Sequence, residues 1–494
     1  MKKIITYIFI FQTSLLCFSQ EIYKLDLEKS IEIAKEQSFR IRILNMNLER
    51  SEHVLEAATR RFKTKMTFDF NGPRYAQAIN KTENDSGRLV FNQTNKLYYG
   101  GELIINQPLP TDGSIYLSSV IDNTNDYQSE ENALELQTIL NFRQPIQALY
   151  SYNRIRTEFD RAALNYEAAE RSQKREELNL IYDVSQIFYN LLNAKQRKEI
   201  AEQVLIRQTE ASEIAQNKYD AGLIREVEAL QIEVDLGQAQ NDYDLATSNY
   251  ESQANYFKQS LGLALSDSVI LESEMDYHIV LVDIERAILH GLANRQEIRE
   301  REIEIELNKI DLKMQKSEGQ ISGEINAYYG LQGVRKNDLP VVFGTAINES
   351  YQTMIDGPNS YGFGINIHIP IIDWGENKSR VKAIKSSQDI IEIRLEEQKM
   401  TIEREIRNTI NQLESALRRL QLLEKNVELA EKSFEISQYR FKNGDIDSEA
   451  LALDRERLNK THLSHLEAYI SYKLLIADLM RKTFYDFEKD QPIL

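Results

Sequence analysis

Apolar side chains return at three- and four-residue steps through residues 26–62, 150–262, 283–317 and 374–485, set among Ala, Glu, Lys, Gln and Arg with almost no Pro or Gly. That is the period of a helix with one apolar stripe, so these windows are predicted to be helical. Between Asp373 and Phe441 the only breaker is Gly375, near the start. A helix of roughly 65 residues would be about 100 Å long, several times the width of an ordinary domain. Its stripe of Ile402, Ile406, Ile410, Leu413, Leu417, Leu420, Leu423, Val427 and Leu429 is more than one helix can bury alone, so it demands helical neighbours along its length. Lys442-Asn443-Gly444 ends the run: Gly444 suits a left-handed cap, and Asp445 or Asp447 can start a helix in the return direction. Tyr219-Asp220-Ala221-Gly222 repeats this arrangement inside 150–262. Two long antiparallel helical hairpins are therefore expected, turning near 220–224 and 442–446.

In 64–148 and 320–373 the composition shifts to Tyr, Phe, Gly, Asn, Thr and Pro, and the period becomes two. Tyr361, Phe363, Ile365, Ile367 and Ile369 fall on one face of an extended segment, with Gly362, Gly364, Asn366 and His368 on the other. Ile321, Ile325, Ala327, Tyr329 and Leu331 against Ser322, Glu324, Asn326 and Tyr328 supply a partner strand. Leu134, Leu136, Leu140 and Phe142 alternate likewise with Glu135, Gln137, Asn141 and Arg143, ending at Pro145. In a water-soluble sandwich such an apolar face is core; in an outer-membrane barrel it faces lipid and the small polar face lines a lumen.

The chain says nearly the same thing twice. Leu25-Asp26-Leu27-Glu28-Lys29-Ser30-Ile31 returns 257 positions later as Val282-Asp283-Ile284-Glu285-Arg286-Ala287-Ile288, and the turn at Gly222 returns 222 positions later at Gly444. Units this long are whole folds copied in tandem rather than stacked small repeats. The halves read as 20–262 and 282–494, with 263–281 as connector. Helix starts match at an offset of 257 and strand ends, Pro145 and Pro370, at 225, so the first half holds 32 extra residues between about Asn71 and Leu134. An additional hairpin or long loop is expected there.

Met1-Lys2-Lys3, the apolar run from Ile4 to Leu16, and Cys17-Phe18-Ser19 read as an export signal cleaved after Ser19. Its removal takes away two lysines, no acid and the only cysteine, moving the formal net charge from −17 to −19. The mature chain then has no thiol chemistry, and so acidic a surface argues against nucleic acid as a partner. No apolar stretch after the signal reaches the eighteen residues a membrane helix needs, which leaves β-strands as the only way to span a bilayer. Catalytic constellations are missing: the six histidines are scattered, and Gly362-Phe363-Gly364 lies inside an alternating strand rather than at a phosphate-binding turn. His462 and His465, three apart on one helical face, read as a solvated or interhelical pair, since no carboxylate ligand stands at fixed spacing. No cofactor or metal is expected.

Helix, strand pair and long hairpin in each half, the turns Tyr219-Asp220-Ala221-Gly222-Leu223-Ile224 and Phe441-Lys442-Asn443-Gly444-Asp445-Ile446, and Ile369-Pro370-Ile371-Ile372-Asp373-Trp374-Gly375 leading into the longest helix together resemble the TolC-type outer-membrane efflux proteins. The resemblance covers essentially the whole mature chain. It implies a mostly α fold with a membrane β region, in which a homotrimer shares one barrel in outer-membrane lipid and continues as a helical tunnel across the periplasm. It also implies a passive channel, not an enzyme, that meets a periplasmic adaptor and an inner-membrane pump. Barrel arithmetic agrees: about four strands per chain are too few for a lumen, whereas three chains supply twelve. Asp220, Glu226, Glu228, Asp445, Asp447 and Glu449 read singly as helix caps and solvated charge; gathered by a threefold axis they become candidates for an acidic ring gating the periplasmic mouth. Gly222, Leu223, Gly444 and Ile446 are the candidate adaptor-contact tip, and Tyr361, Phe363, Ile365, Ile367 and Ile369 the lipid-facing strand. An exported trimeric coiled-coil stalk or adhesin is the rival; it needs neither tandem halves nor a strand face of this kind.

Overall fold

The computed structural model describes residues 22–83, 87–272, 275–443, 445–446 and 448–493, so the expected signal segment, Gly444 and Asp447 lie outside the described residues. In chain order the elements are β1 (Ile22–Leu25), α1 (Leu27–Gln37), α2 (Phe39–Arg60), β2 (Lys65–Glu83), β3 (Leu89–Pro108), β4 (Ser114–Asp126), β5 (Glu131–Pro145), α3 (Gln147–Tyr150), α4 (Arg154–Asp220), α5 (Glu226–Leu261), β6 (Ser268–Leu271), α6 (Ile284–Asn294), α7 (Gln296–Glu318), β7 (Ser322–Asp338), α8 (Phe343–Asp356), β8 (Ser360–His368), α9 (Glu376–Lys442) and α10 (Ser448–Thr483). They form two compact units: a helical one of residues up to Met46, Ser172–Gln296 and Gln398 onward, and a sheet-bearing one of Asn47–Arg171 and Glu297–Glu397. Among the described residues no helix is long and apolar enough to cross a membrane.

The duplicated Asp-Leu/Ile-Glu segments are both helix starts. Asp26 accepts a hydrogen bond from Lys29 N and Asp283 one from Arg286 N, each at 2.7 Å, so each carboxylate satisfies an otherwise orphaned amide of α1 or α6. α4 and α9 run 67 residues each without a break. In the helical unit α9 buries Ile402, Ile406, Ile410, Leu413 and Leu420, as its periodicity requires. Gly291 of α6 lies where a side chain would meet Ile406 Cδ1 at 2.3 Å, so the missing Cβ permits the close approach of α6 to α9. Phe188, Phe257 and Tyr472 of the same unit are nearly inaccessible, the rings of Phe188 and Phe257 lie 6.1 Å apart, and the Tyr472 hydroxyl donates to His278 O at 2.9 Å. Leu429 departs from expectation at 56 % exposed. Straight 3.6-residue geometry carries the inward stripe from Val427 to Ala430, both half-buried, and Leu429 joins Leu422 and Ile436 on a second, exposed line of seven-residue spacing.

The sheet-bearing unit holds one antiparallel sheet of six strands in the order β2-β3-β4-β5-β7-β8. This corrects the count of about four: the 32 extra residues form a hairpin, not a loop, and it enters the same sheet. A second element was hidden in the window read as strand. α8 seats on β5 and β7, with Ala346 and Ser350 against the sheet and Ser350 Oγ donating to Leu134 O at 2.8 Å. Gly333 makes this possible, since a Cβ there would meet Ser350 O at 2.1 Å. Beside the sheet, α7 is tied to α4 by Arg299, which donates to Glu167 at 2.8 and 3.1 Å, and by the Arg161–Asp311 ion pair.

Candidate functional site

Register decides which side chains share a face of the sheet. Tyr361, Phe363, Ile365 and Ile367 of β8 stand opposite Tyr329, Ala327, Ile325 and Gly323 of β7. Across β5 the same face continues with Leu140, Phe142 and Leu136, opposite Tyr329, Ala327 and Gly333. It runs on through Leu117 and Ile121 of β4, Ile105 and Leu103 of β3, and Met66 and Phe68 of β2. The strands that sequence periodicity assigned thus share one apolar face, as their alternation required; Ile369 lies just past the end of β8 and is exposed. The face contributed by β2 to β4 was missed, although Met66, Phe68 and Phe70 alternate with Thr67 and Asp69 and carried the signal.

The apolar band has edges. On β5 it spans Leu136 to Phe142, with Leu134 beyond it buried beside α8 and Gln144 at the other end, and along β8 and just past it the band runs clear from Tyr361 to Ile369. Asn132 Nδ2 donates to Asn123 Oδ1 at 2.7 Å and to Asn125 Oδ1 at 2.6 Å, a buried amide cluster on the same face as the band. Nine residues at about 3.3 Å each, tilted as barrel strands are, give a band roughly 20–25 Å tall, the height of an outer-membrane hydrocarbon layer.

The opposite face carries most of the polar groups, with Ile104, Val120 and Ile139 set among them. Ser118 Oγ donates to Glu102 at 2.7 Å, Gln332 Nε2 donates to Glu135 at 2.7 Å, and Arg143 pairs with Glu324. At its lower end opens a recess of about 850 Å³, lined by Lys65, Asn106, Arg143, Glu324, Asn366 and His368 among others. Basic and acidic groups alternate there, which suits a water-filled wall. Below β8 the chain turns sharply into α9: Trp374 and Gly375 adopt positive φ of 53° and 85°, and Asp373 accepts from Gly375 N at 2.9 Å and Asn377 N at 3.1 Å. These backbone amides hold the Asp373 carboxyl below its usual range.

In the helical unit, α4 ends at Asp220 in a left-handed Gly222, φ 71°, with Gly222 N bonded to Tyr219 O and Leu223 N to Lys218 O, both at 2.8 Å. This pairing closes a Schellman cap, and Leu223 projects from it at 73 % exposed. At the second turn Asp445 N reaches Arg440 O at 2.9 Å, matching the outer bond of the first. Among the acidic candidates, Asp220 accepts from Gln216 at 2.9 Å and Glu228 is held by Arg225 at 2.6 Å, which lowers its carboxyl pKa. Glu226, Asp445 and Glu449 are exposed and Ile446 is half-buried. Within one chain the structure brings Asp220, Glu226 and Glu228 around one turn and Asp445 and Glu449 around the other. His462 Nε2 lies 3.5 Å from Glu431 across the α9/α10 hairpin, an interhelical pair.

Similar architectures are known. The chain matches the Campylobacter jejuni CmeC outer membrane channel at 16 % identity and a TM-score of 0.68, covering 92 % of this chain and 85 % of that one. It matches the open state of the Neisseria gonorrhoeae MtrE outer membrane channel at 16 % identity and 0.63, covering 94 % and 90 %, and the Vibrio cholerae outer membrane protein VceC at 14 % and 0.61, covering 93 % and 95 %. No curated protein matches the sequence. The sequence pattern of the outer membrane efflux proteins matches twice, over residues 117–263 and 326–473, once in each of the duplicated halves. With more than half of its length matched in this tandem manner, the chain belongs to the outer membrane efflux protein family.

Proposed function

We propose that this protein is the passive outer-membrane duct of a tripartite export system. Three copies share one barrel, a periplasmic adaptor joins them to an inner-membrane pump, and the duct does no chemistry of its own. The observation that carries the reading is the sheet: an apolar band of bilayer height on one face, a polar face on the other, and both edges unpaired in the single chain. The band, including Tyr361, Phe363, Ile365 and Ile367, meets lipid, and the polar face lines the lumen. The exposed line of Leu422, Leu429 and Ile436 on α9 supports the ring, because a neighbouring copy would cover it. A free stalk or adhesin would have no use for such a sheet. The turns near 220–224 and 442–446, with Gly222, Leu223, Gly444 and Ile446 as the candidate contacts, form the tip that meets the adaptor, and the turn carboxylates form its acidic mouth.

Purified protein in planar bilayers is expected to conduct ions as a trimer, and a strain lacking it should accumulate compounds that its pump exports. A correctly exported protein that stays monomeric and water-soluble would sink this reading.

A further inference from the structure

We propose that each copy contributes six strands to the barrel wall, so that three copies close an eighteen-stranded barrel whose seams join β8 of one copy to β2 of the next. The inference rests on the trimeric duct reading and goes beyond it in strand number, seam and width.

The additional hairpin is built as wall. β3 pairs continuously with β4 from Lys96 to Pro108, and β2 pairs with β3 along its whole length apart from one irregularity between Asn71 and Arg74. Met66, Phe68 and Phe70 extend the apolar band and are 64–67 % exposed, whereas Thr67 and Asp69 extend the polar face. A hairpin lying outside the wall, in water or in the lumen, would leave those aromatic rings wet for no gain. Six is also an even number. With every neighbour antiparallel, β8 runs opposite to β2, and pairing the two edges between copies continues the alternation without a parallel seam. Inside hydrocarbon neither edge can stay open, because each unpaired backbone group costs several kcal/mol. β8 is nine residues long, one crossing, and carries the band residues to pair beside Met66, Phe68 and Phe70. Diameter grows roughly linearly with strand number, so the lumen would be about half again as wide as a twelve-stranded one and of the class that holds an aqueous channel.

Seam cross-linking tests this, since the only native cysteine, Cys17, lies in the segment expected to be cleaved. Asn366→Cys combined in turn with Thr67→Cys, Asp69→Cys or Asn71→Cys, all on the polar face, should give oxidant-dependent covalent dimers and trimers with at least one partner. Asn366→Cys with Ser118→Cys of β4 should give none. In vesicles, Leu103→Cys and Leu117→Cys should resist a membrane-impermeant maleimide while Glu102→Cys and Ser118→Cys react. A β8–β4 disulfide, no covalent product with any β2 position, or equal labelling of both faces of β3 and β4 would overturn the eighteen-stranded wall. Parent protein that is monomeric in detergent would instead overturn the trimeric reading itself, so the two failures are distinguishable.

Discussion

Arg299 of α7 donates to Glu167 of α4 with two nitrogens, at 2.8 and 3.1 Å, and its third reaches Glu306 at 2.8 Å. The guanidinium holds the Glu167 carboxyl below its ordinary value of 4.5 and is itself pushed up by Glu167, Glu306 and Glu302. Because the folded state then binds fewer protons than the unfolded one, the stability contributed is fully present above pH 4.5 and drains as pH falls through the lowered value. Both side chains are about one-third exposed, so solvent screening discounts the pair. Arg299→Ala is expected to cost on the order of 1 kcal/mol at pH 7 and to flatten the acid limb of a Tm-against-pH curve. An unaltered acid limb would show that other carboxylates set it. Single residues differ in how legible they are. The caps Asp26 and Asp283 could be read directly, because the group they satisfy lies three residues on. The Arg299 tie could not, because its partner is 132 residues away.

Elements follow their periods until something covers them. If the band of β8 meets lipid, Ile365→Arg should cost about 2–4 kcal/mol near the bilayer midplane, while Asn366→Arg, pointing to the other face, should leave trimer yield close to the parent's. Recovery of trimer from isolated outer membranes compares them directly, and equal loss from both would reject the face assignment. α8 offers a second prediction. Gly333→Val would drive side-chain atoms into Ser350 O and Met354 N, 2.1 and 2.4 Å from a Cβ there, and should lift the helix at a cost of about 1–3 kcal/mol. Hydrogen exchange should then speed up in 343–356 while β3 and β4 keep their protection; uniform acceleration across the sheet would mean that α8 is not a separable element. The helix escaped the sequence reading because its small inward residues, Ala346 and Ser350, leave Phe343, Tyr351 and Ile355 exposed and mimic an aromatic strand segment.

On the scale of the whole molecule, tandem duplication places two acidic turns in every chain and, in a trimer, six around one axis. Asp445→Asn, Asp447→Asn and Glu449→Gln together should lower cation preference or alter resting conductance without unfolding the trimer. Reversal potentials across a salt gradient measure this, and values identical to the parent's would reduce these carboxylates to ordinary caps. The local partners already seen for Asp220 and Glu228 make Glu226 the freest acid of the first turn, so Glu226→Gln should move selectivity more than either neighbour does.

The sequence by itself determined what depends on period and on neighbours a few residues away: long helices at 3.6, alternating strands at two, caps at Asp and Gly, the two hairpin turns, and the copying of one unit into two. These follow from backbone geometry and from the need of each apolar stripe to leave water, and neither requires knowing what lies across the gap. Tertiary structure decided the rest. It set the order of the strands, admitted two strands more than the pattern had counted into one sheet of six, laid α8 on Gly333, and divided the apolar lines of α9 into a buried one and an exposed one. Each of these joins residues far apart in the chain, where register and packing choose among pairings that local patterns leave equally open.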